Sequence, residues 1–178
     1  MKTLTLLRHA KSGWDDTVAR DFDRPLNPKG HRASQAVGRY MKAIGLTFDH
    51  VVASPAVRVT ETLGEVEQSY GSELAPDWDQ RVYLASVATL LDIVHDLPDA
   101  ADRVLMVGHN PGLEELVLAL IPDHDQLRDD VEVKFPTASL AEMRFEVERW
   151  ADLKPGTGLL VRFTRPRDLD PALGPDRD

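Results

Sequence analysis

The sequence predicts an α/β fold: a three-layer α/β/α sandwich around a mostly parallel central sheet. Three observations carry this. Short apolar runs at 4–7, 51–53 and 104–107 alternate with amphipathic stretches at helical spacing. Three polar-proline pairs, Asn27-Pro28, Ser54-Pro55 and Asn110-Pro111, resemble helix starts, with a capping side chain before a proline. Two late segments, 138–147 and 159–164, alternate like antiparallel strands at a sheet edge.

In chain order, residues 4–7 read as a buried strand that ends in Arg8-His9. Residues 10–26 read as a long loop with Gly13, several aspartates and a lone Trp14. After Asn27-Pro28, the residues Ala33, Ala36, Val37, Tyr40, Met41 and Ile44 mark one helical face, and Gly45 stops it. Residues 51–53 form a short strand. Ala56, Val59, Leu63, Val66 and Tyr70 give a second helix. Val87, Leu90, Leu91 and Val94 give a third, ended by Pro98. The apolar run 104–107 is a strand leading into Gly108-His109-Asn110-Pro111. Leu113, Leu116, Val117, Leu120 and Ile121 continue as a helix up to Pro122.

Length and composition bound the answer. The chain has 178 residues, enough for one domain with a full core, and no cysteine. Disulfides, thiolate nucleophiles and thiolate metal sites are excluded, which fits a reducing, cytoplasmic setting. The apolar stretch before Arg8 is shorter than a secretory core, and no run approaches the ~18 residues of a membrane span. The formal net charge is -9, which argues against nucleic acid. The expected organisation is one domain over 1–164. A Pro/Asp-rich tail over 165–178 is either disordered or wrapped on the surface. The expected assembly is a monomer.

Ligands in open α/β sheets bind beyond the carboxyl ends of the strands. The first strand delivers Arg8 and His9, the second Ser54 and then Arg58, the third His109 and Asn110. Helix N-termini and arginine forks favour an anion there. Each residue alone has a bland reading: Arg8 or Arg58 at the surface, His9 satisfied in the core, His109 in a turn. Their convergence from separate segments points to a phosphate pocket, so a phosphate or sulfate ion is the expected occupant. His31, His50, His95 and His124 read as surface or structural residues.

These residues sit in motifs that resemble a known family. "LLRHAKS", "DRPLNPKGHRASQ", "VVASPAVRVTETL" and "VLMVGHNPGLEELV" are similar, in order, to blocks of the histidine phosphatase (phosphoglycerate mutase-like) superfamily. The wording of "RHAKSGW" and "GHNPGLEEL" most resembles the SixA-type protein phosphohistidine phosphatases. The resemblance implies that His9 is the nucleophile and becomes a phosphohistidine. It implies that Arg8, Arg58 and His109 grip the phosphoryl group. Arg24 matches an arginine of some short members, and Ser12 and Asn110 are further contacts or orienters. No metal and no cofactor is implied, because guanidiniums stand where cations otherwise would.

Two features depart from the pattern. Ala10 replaces the usual glycine after the histidine. No acid clearly aligns with the proton donor of larger members; Asp77 and Asp79 are nearby candidates and Tyr83 a weaker one. A phosphohistidine substrate tolerates a missing donor, since its leaving imidazole can depart neutral with a proton on the far nitrogen. The expected function is therefore a metal-independent hydrolase of protein phosphohistidine. The alternatives are a small-molecule phosphomonoesterase or mutase of the same superfamily, a non-catalytic phosphohistidine-binding module, and a metallohydrolase using His9 and His109. The flanking arginines weigh against the last.

Overall fold

The structure is a computed structural model, and it describes residues 1–14, 17–18 and 20–174. Its sheet is built on strands covered on both faces. In β4 (Arg103–Gly108), Val104 and Met106 enter one core cluster while Leu105 and Val107 enter the other. In β1 (Lys2–Arg8), Leu4 and Leu6 face the first cluster and Leu7 the second. The period of two, apolar on both sides, is what a sheet between two helical layers requires. Burying one such leucine or valine stabilises by roughly 1.5–3 kcal/mol.

Helices α1 (Pro28–Ala43) and α2 (Val57–Tyr70) cover one face. Helices α3 (Val87–His95), α4 (Gly112–Leu120) and α5 (Gln126–Val133) cover the other. Among the described residues six strands form one sheet. With β2 (His50–Ala53), β3 (Asp77–Trp78), β5 (Leu140–Phe145) and β6 (Leu159–Thr164), its order is β3-β2-β4-β1-β5-β6. The first four strands of that order are parallel to one another. Strand β5 is antiparallel to both β1 and β6. The three-layer, mostly parallel arrangement is the one the sequence predicts, and the two late strands are antiparallel as expected.

Asn27 caps α1 as predicted, its Oδ1 accepting from Gly30 N at 2.8 Å. The other two polar-proline pairs act differently. Helix α2 starts at Val57 with Ala56 in the cap position, and α4 starts at Gly112 after Pro111. Ser54 is left with other work, while Asn110 Oδ1 still accepts from Glu114 N in the first turn of α4. Among the elements that the sequence does not predict are β3 and α5. Strand β3 is two exposed residues, and α5 buries only Val131, so neither leaves an apolar period.

The C-terminal stretch up to Gly174 takes the surface-wrapped form. A one-turn helix α6 (Pro166–Leu169) and a 3-10 turn at Pro171–Leu173 pack on α1, with Pro166 and Leu173 buried. The tail beyond, 175–178, lies outside the described residues. No described helix is long and apolar enough to cross a membrane.

Candidate active site

The strand order decides the site. Strand β4 lies between β1 and β2, so the three predicted strand ends are neighbours. The ladder continues one residue past each end. His9 N donates to Gly108 O at 3.1 Å, and Ser54 N donates to Val107 O at 3.0 Å. His9, Ser54 and His109 are thereby set side by side at the carboxyl edge of the sheet, the expected ligand position.

The His9 ring is buried, and its two nitrogens have different surroundings. Nδ1 lies 2.7 Å from Ala10 O. A carbonyl can only accept, so Nδ1 carries the proton and Nε2 keeps the lone pair. Arg58 Nε approaches that Nε2 at 3.4 Å, and the His109 ring centroid lies 5.2 Å away. The His9 pKa falls well below the usual histidine value. Burial is the main cause, and it outweighs the Ala10 carbonyl, which favours the charged ring. His109, Arg8 and Arg58 add to the lowering.

His109 is also buried, and its tautomer can be read. Ser54 Oγ accepts from Ala56 N at 3.3 Å and lies 2.8 Å from His109 Nε2. The buried hydroxyl has one proton to place, and His109 Nε2 is the acceptor it meets among the described residues; donating there puts the imidazole proton on Nδ1. That Nδ1 is buried and has no partner among the described residues. It is a donor without an acceptor, which an anion would supply. Burial first, and then Arg58, lower the His109 pKa to about 3, so the ring is neutral.

Arg58 is buried on the first turn of α2 and its fork is spent on one residue. Nη1 donates to Asp21 O at 2.8 Å and Nη2 to Asp21 Oδ2 at 3.0 Å. Asp21 also accepts from Arg24 Nη1 at 3.0 Å and from the Tyr83 hydroxyl at 2.6 Å. Burial would raise the Asp21 pKa. Hydrogen bonds from Tyr83, Arg24 and Arg58 outweigh it and hold the group at about 2. Asp21 is thus a fixed anion that orients two arginines. In the sequence it is one acid among several in a loop, and nothing marks it. The Tyr83 ring stands edge-on to His109 at 5.4 Å.

The remaining predicted residues fall close by. Arg8 Nη1 donates to Phe135 O at 3.0 Å, and Asn110 Nδ2 donates to the same oxygen at 2.8 Å. Asn110 Oδ1 accepts from Glu114 N at 3.3 Å, so this amide orients its surroundings. Ser12 Oγ accepts from Arg24 Nη2 at 2.8 Å, which ties Arg24 to the loop after β1. Thr62 Oγ1 accepts from Ala10 N at 3.0 Å and donates to Arg58 O at 2.6 Å, locking that loop onto α2. Of the candidate proton donors, Asp79 is engaged by Arg81 and caps its own turn, and Asp77 sits in the exposed strand β3. The other histidines hold the frame: His31 pairs with Glu65 at 3.1 Å, and His95 Nε2 meets Leu153 O at 2.8 Å.

Taken together, the groups form a cationic pocket with one poised lone pair, two guanidiniums and an unfilled donor. Such a pocket can hold and transfer an oxyanion.

Known proteins resemble this chain in sequence and fold. The family model of the histidine phosphatase superfamily (branch 1) matches residues 4–81, which include Arg8, His9, Arg24 and Arg58. An uncharacterized protein of Mycobacterium tuberculosis is 35% identical over 164 residues, spanning 90% of this chain and 100% of that protein. Two solved structures are similar over most of their length, each a candidate phosphohistidine phosphatase SixA. That from Nakamurella multipartitia has a TM-score of 0.80 at 29% identity and covers 93% of this chain and 96% of its own. That from Agrobacterium tumefaciens has a TM-score of 0.77 at 26% identity, with 93% and 98% covered.

Proposed function

Because the chain belongs to the histidine phosphatase superfamily, we propose that it is a metal-independent phosphatase that hydrolyses protein phosphohistidine through a covalent intermediate on His9. One observation carries this reading: the hydrogen bond that ties His9 Nδ1 to Ala10 O and leaves Nε2 as the nucleophile. Nε2 attacks phosphorus, and the bond from phosphorus to the substrate imidazole breaks. That imidazole takes the electron pair and leaves neutral, with a proton on its far nitrogen. Arg8, Arg58 and His109 Nδ1–H balance charge on the three equatorial oxygens. The phosphorylated His9 is then attacked by water. It too leaves neutral, because its own far nitrogen already holds a proton against Ala10 O.

Neither half-reaction needs a general acid. That agrees with the state of Asp21, which at a pKa of about 2 has no proton to give near neutral pH. A phosphate ester would need one for its alkoxide.

A second reading, a small-molecule phosphomonoesterase, draws on Glu114. Burial raises its pKa, although Arg8 opposes the rise. A direct comparison separates the two. The purified protein is offered a phosphohistidine-bearing protein and a panel of small phosphate esters, with EDTA present. The proposal expects faster release from phosphohistidine and an acid-labile, base-stable adduct that His9→Ala abolishes. Ester hydrolysis faster by a wide margin and dependent on Glu114 would favour the second reading.

A further inference from the structure

A cleft of about 220 Å³ opens beside Arg8. Six cationic residues line it: Arg8, Lys11, Lys29, Lys134, Arg165 and Arg167. Among the described residues that line it there is no aspartate or glutamate, in a chain whose net charge is -9. The cations come from separate segments: the end of β1, the first turn of α1, the connection from α5 to β5, and the C-terminal wrap. A run of charge on one helix is usually a solvated face. Arg165 is paired with Asp168, but Lys134 and Arg167, brought together from distant parts of an acidic chain, lack that simple account.

The cleft adjoins the candidate site at Arg8. Arg8 belongs to both and is the covalent neighbour of His9. The segment that forms one wall is held to them by the backbone: Ala138 N donates to Arg8 O at 3.1 Å and to His9 O at 3.0 Å. Arg165 is pre-oriented by a fork on Asp168, with both contacts at 3.0 Å. The side chains of Lys134 and Arg167 make no hydrogen bond or ion pair among the described residues, and both are exposed. At ~30 Å³ per water, the space equals roughly seven waters. It suits one or two acidic side chains projecting from a partner and is far too small for a folded body.

We propose that this cleft binds acidic side chains that flank the phosphorylated residue of a protein substrate. The inference rests on the phosphohistidine reading above and extends it to substrate choice. One anion engages His9, Arg58 and His109, and a second, on the same polypeptide, engages Lys134, Arg165 and Arg167. The overall negative charge repels acidic proteins at long range, so an acidic substrate is accepted only where it presents its charge to this cleft.

The test measures binding, so it does not depend on turnover. Two fluorescent peptides carry the same non-hydrolysable phosphonate analogue of phosphohistidine. One is flanked by glutamates and the other by glutamines. The wild-type chain should bind the glutamate peptide about tenfold more tightly at low salt, with the ratio shrinking as ionic strength rises. In the double variant K134Q/R167Q the ratio should fall below about twofold, and the single variant R167Q should lie between. The glutamine peptide is the internal reference for folding. Equal affinities in the wild type, or a ratio unchanged in K134Q/R167Q, would overturn the proposal. Hydrolysis of a phosphohistidine protein is scored separately. A peptide preference without that hydrolysis leaves the cleft standing and removes the phosphohistidine reading. Hydrolysis without a preference does the reverse.

Discussion

Arg58 and Asp21 grip each other twice: one guanidinium nitrogen donates to the Asp21 backbone oxygen and another to its carboxylate. This relationship fixes the direction of the buried arginine and leaves its Nε toward His9. It also places a carboxylate next to a site built for anions. The two effects act in opposite directions on ligand binding.

Asp21→Asn is therefore expected to split catalysis from binding. Arg24, Arg58 and Tyr83 all lose a charged acceptor. Each such bond is worth about 1.5–3 kcal/mol when buried and less at the partial exposure of this carboxylate. We expect kcat to fall about tenfold, which is ~1.4 kcal/mol. The affinity for inorganic phosphate should change less than about threefold, because removing a nearby negative charge compensates for looser arginines. Steady-state kinetics with phosphate as inhibitor reads both. An unchanged kcat would show that Arg58 is held without Asp21.

The pH dependence follows from the two lowered histidines. The His109 pKa is lowered to about 3, so that ring stays neutral between pH 8 and 5, and burial holds the His9 pKa well below the usual histidine value, so neither ring gains a proton near 6.5. Activity, corrected for spontaneous loss of substrate, should be flat over that range. A limb with its midpoint near 6.5 would refute the assignment. Stability moves differently. Below about pH 6.5 the unfolded chain takes up protons that the folded histidines refuse, so stability falls with pH from there toward 3. Asp21 adds to the loss as pH falls from about 4 to 2, since its folded pKa lies below the unfolded one. Melting temperature against pH, with imidazole NMR titration, checks both signs.

Ser54→Ala removes the hydroxyl that sets the His109 tautomer. The ring could then keep its proton on either nitrogen, and Nδ1–H would no longer be assured at the phosphoryl group. We expect kcat to drop about ten- to a hundredfold, in the range seen for loss of one preorganised oxyanion donor or less. Nitrogen chemical shifts of His109 should move toward a mixture of tautomers. A wild-type rate would mean that the donor is not used.

Gly30 and Gly64 form a matched pair of tests. A Cβ on Gly30 would meet Lys11 O at 2.1 Å, so Gly30→Ala must push the loop after His9 away from α1. Overpacking of this kind costs about 1–3 kcal/mol, and activity should fall with it. A Cβ on Gly64 meets nothing within 4 Å and lies on the exposed side of α2. Gly64→Ala should stabilise by about 1 kcal/mol through helix propensity, with no loss of rate. Denaturant midpoints and kcat together discriminate between the two sites.

How legible the molecule was depended on whether the signal was local. Asn27-Pro28 predicts the start of α1 because capping involves four consecutive residues. Ser54-Pro55 has the same wording and starts nothing. Its hydroxyl is taken by His109, fifty-five residues away. Helix α5 leaves no apolar period because it buries one valine, half-buries Leu127 and holds Arg128 by hydrogen bonds to Leu118 O and Ile121 O. Asp79 was marked as a candidate acid by position alone, and its carboxylate is neutralised two residues along by Arg81.

The sequence by itself determined the order of the main strands and helices, with β3, α5 and α6 left out, the doubly apolar strands of a covered sheet, and the reactive groups at three strand ends. Those are properties of period and neighbourhood, which a linear string records. Only the tertiary structure decided that β4 runs between β1 and β2, that Asp21 binds the arginines, and that the C-terminal wrap brings Arg165 and Arg167 to the cleft that Lys134 also lines. These depend on which distant segments pack together. That is set by the burial of whole faces and by charges meeting across the fold, and no local stretch of residues encodes it.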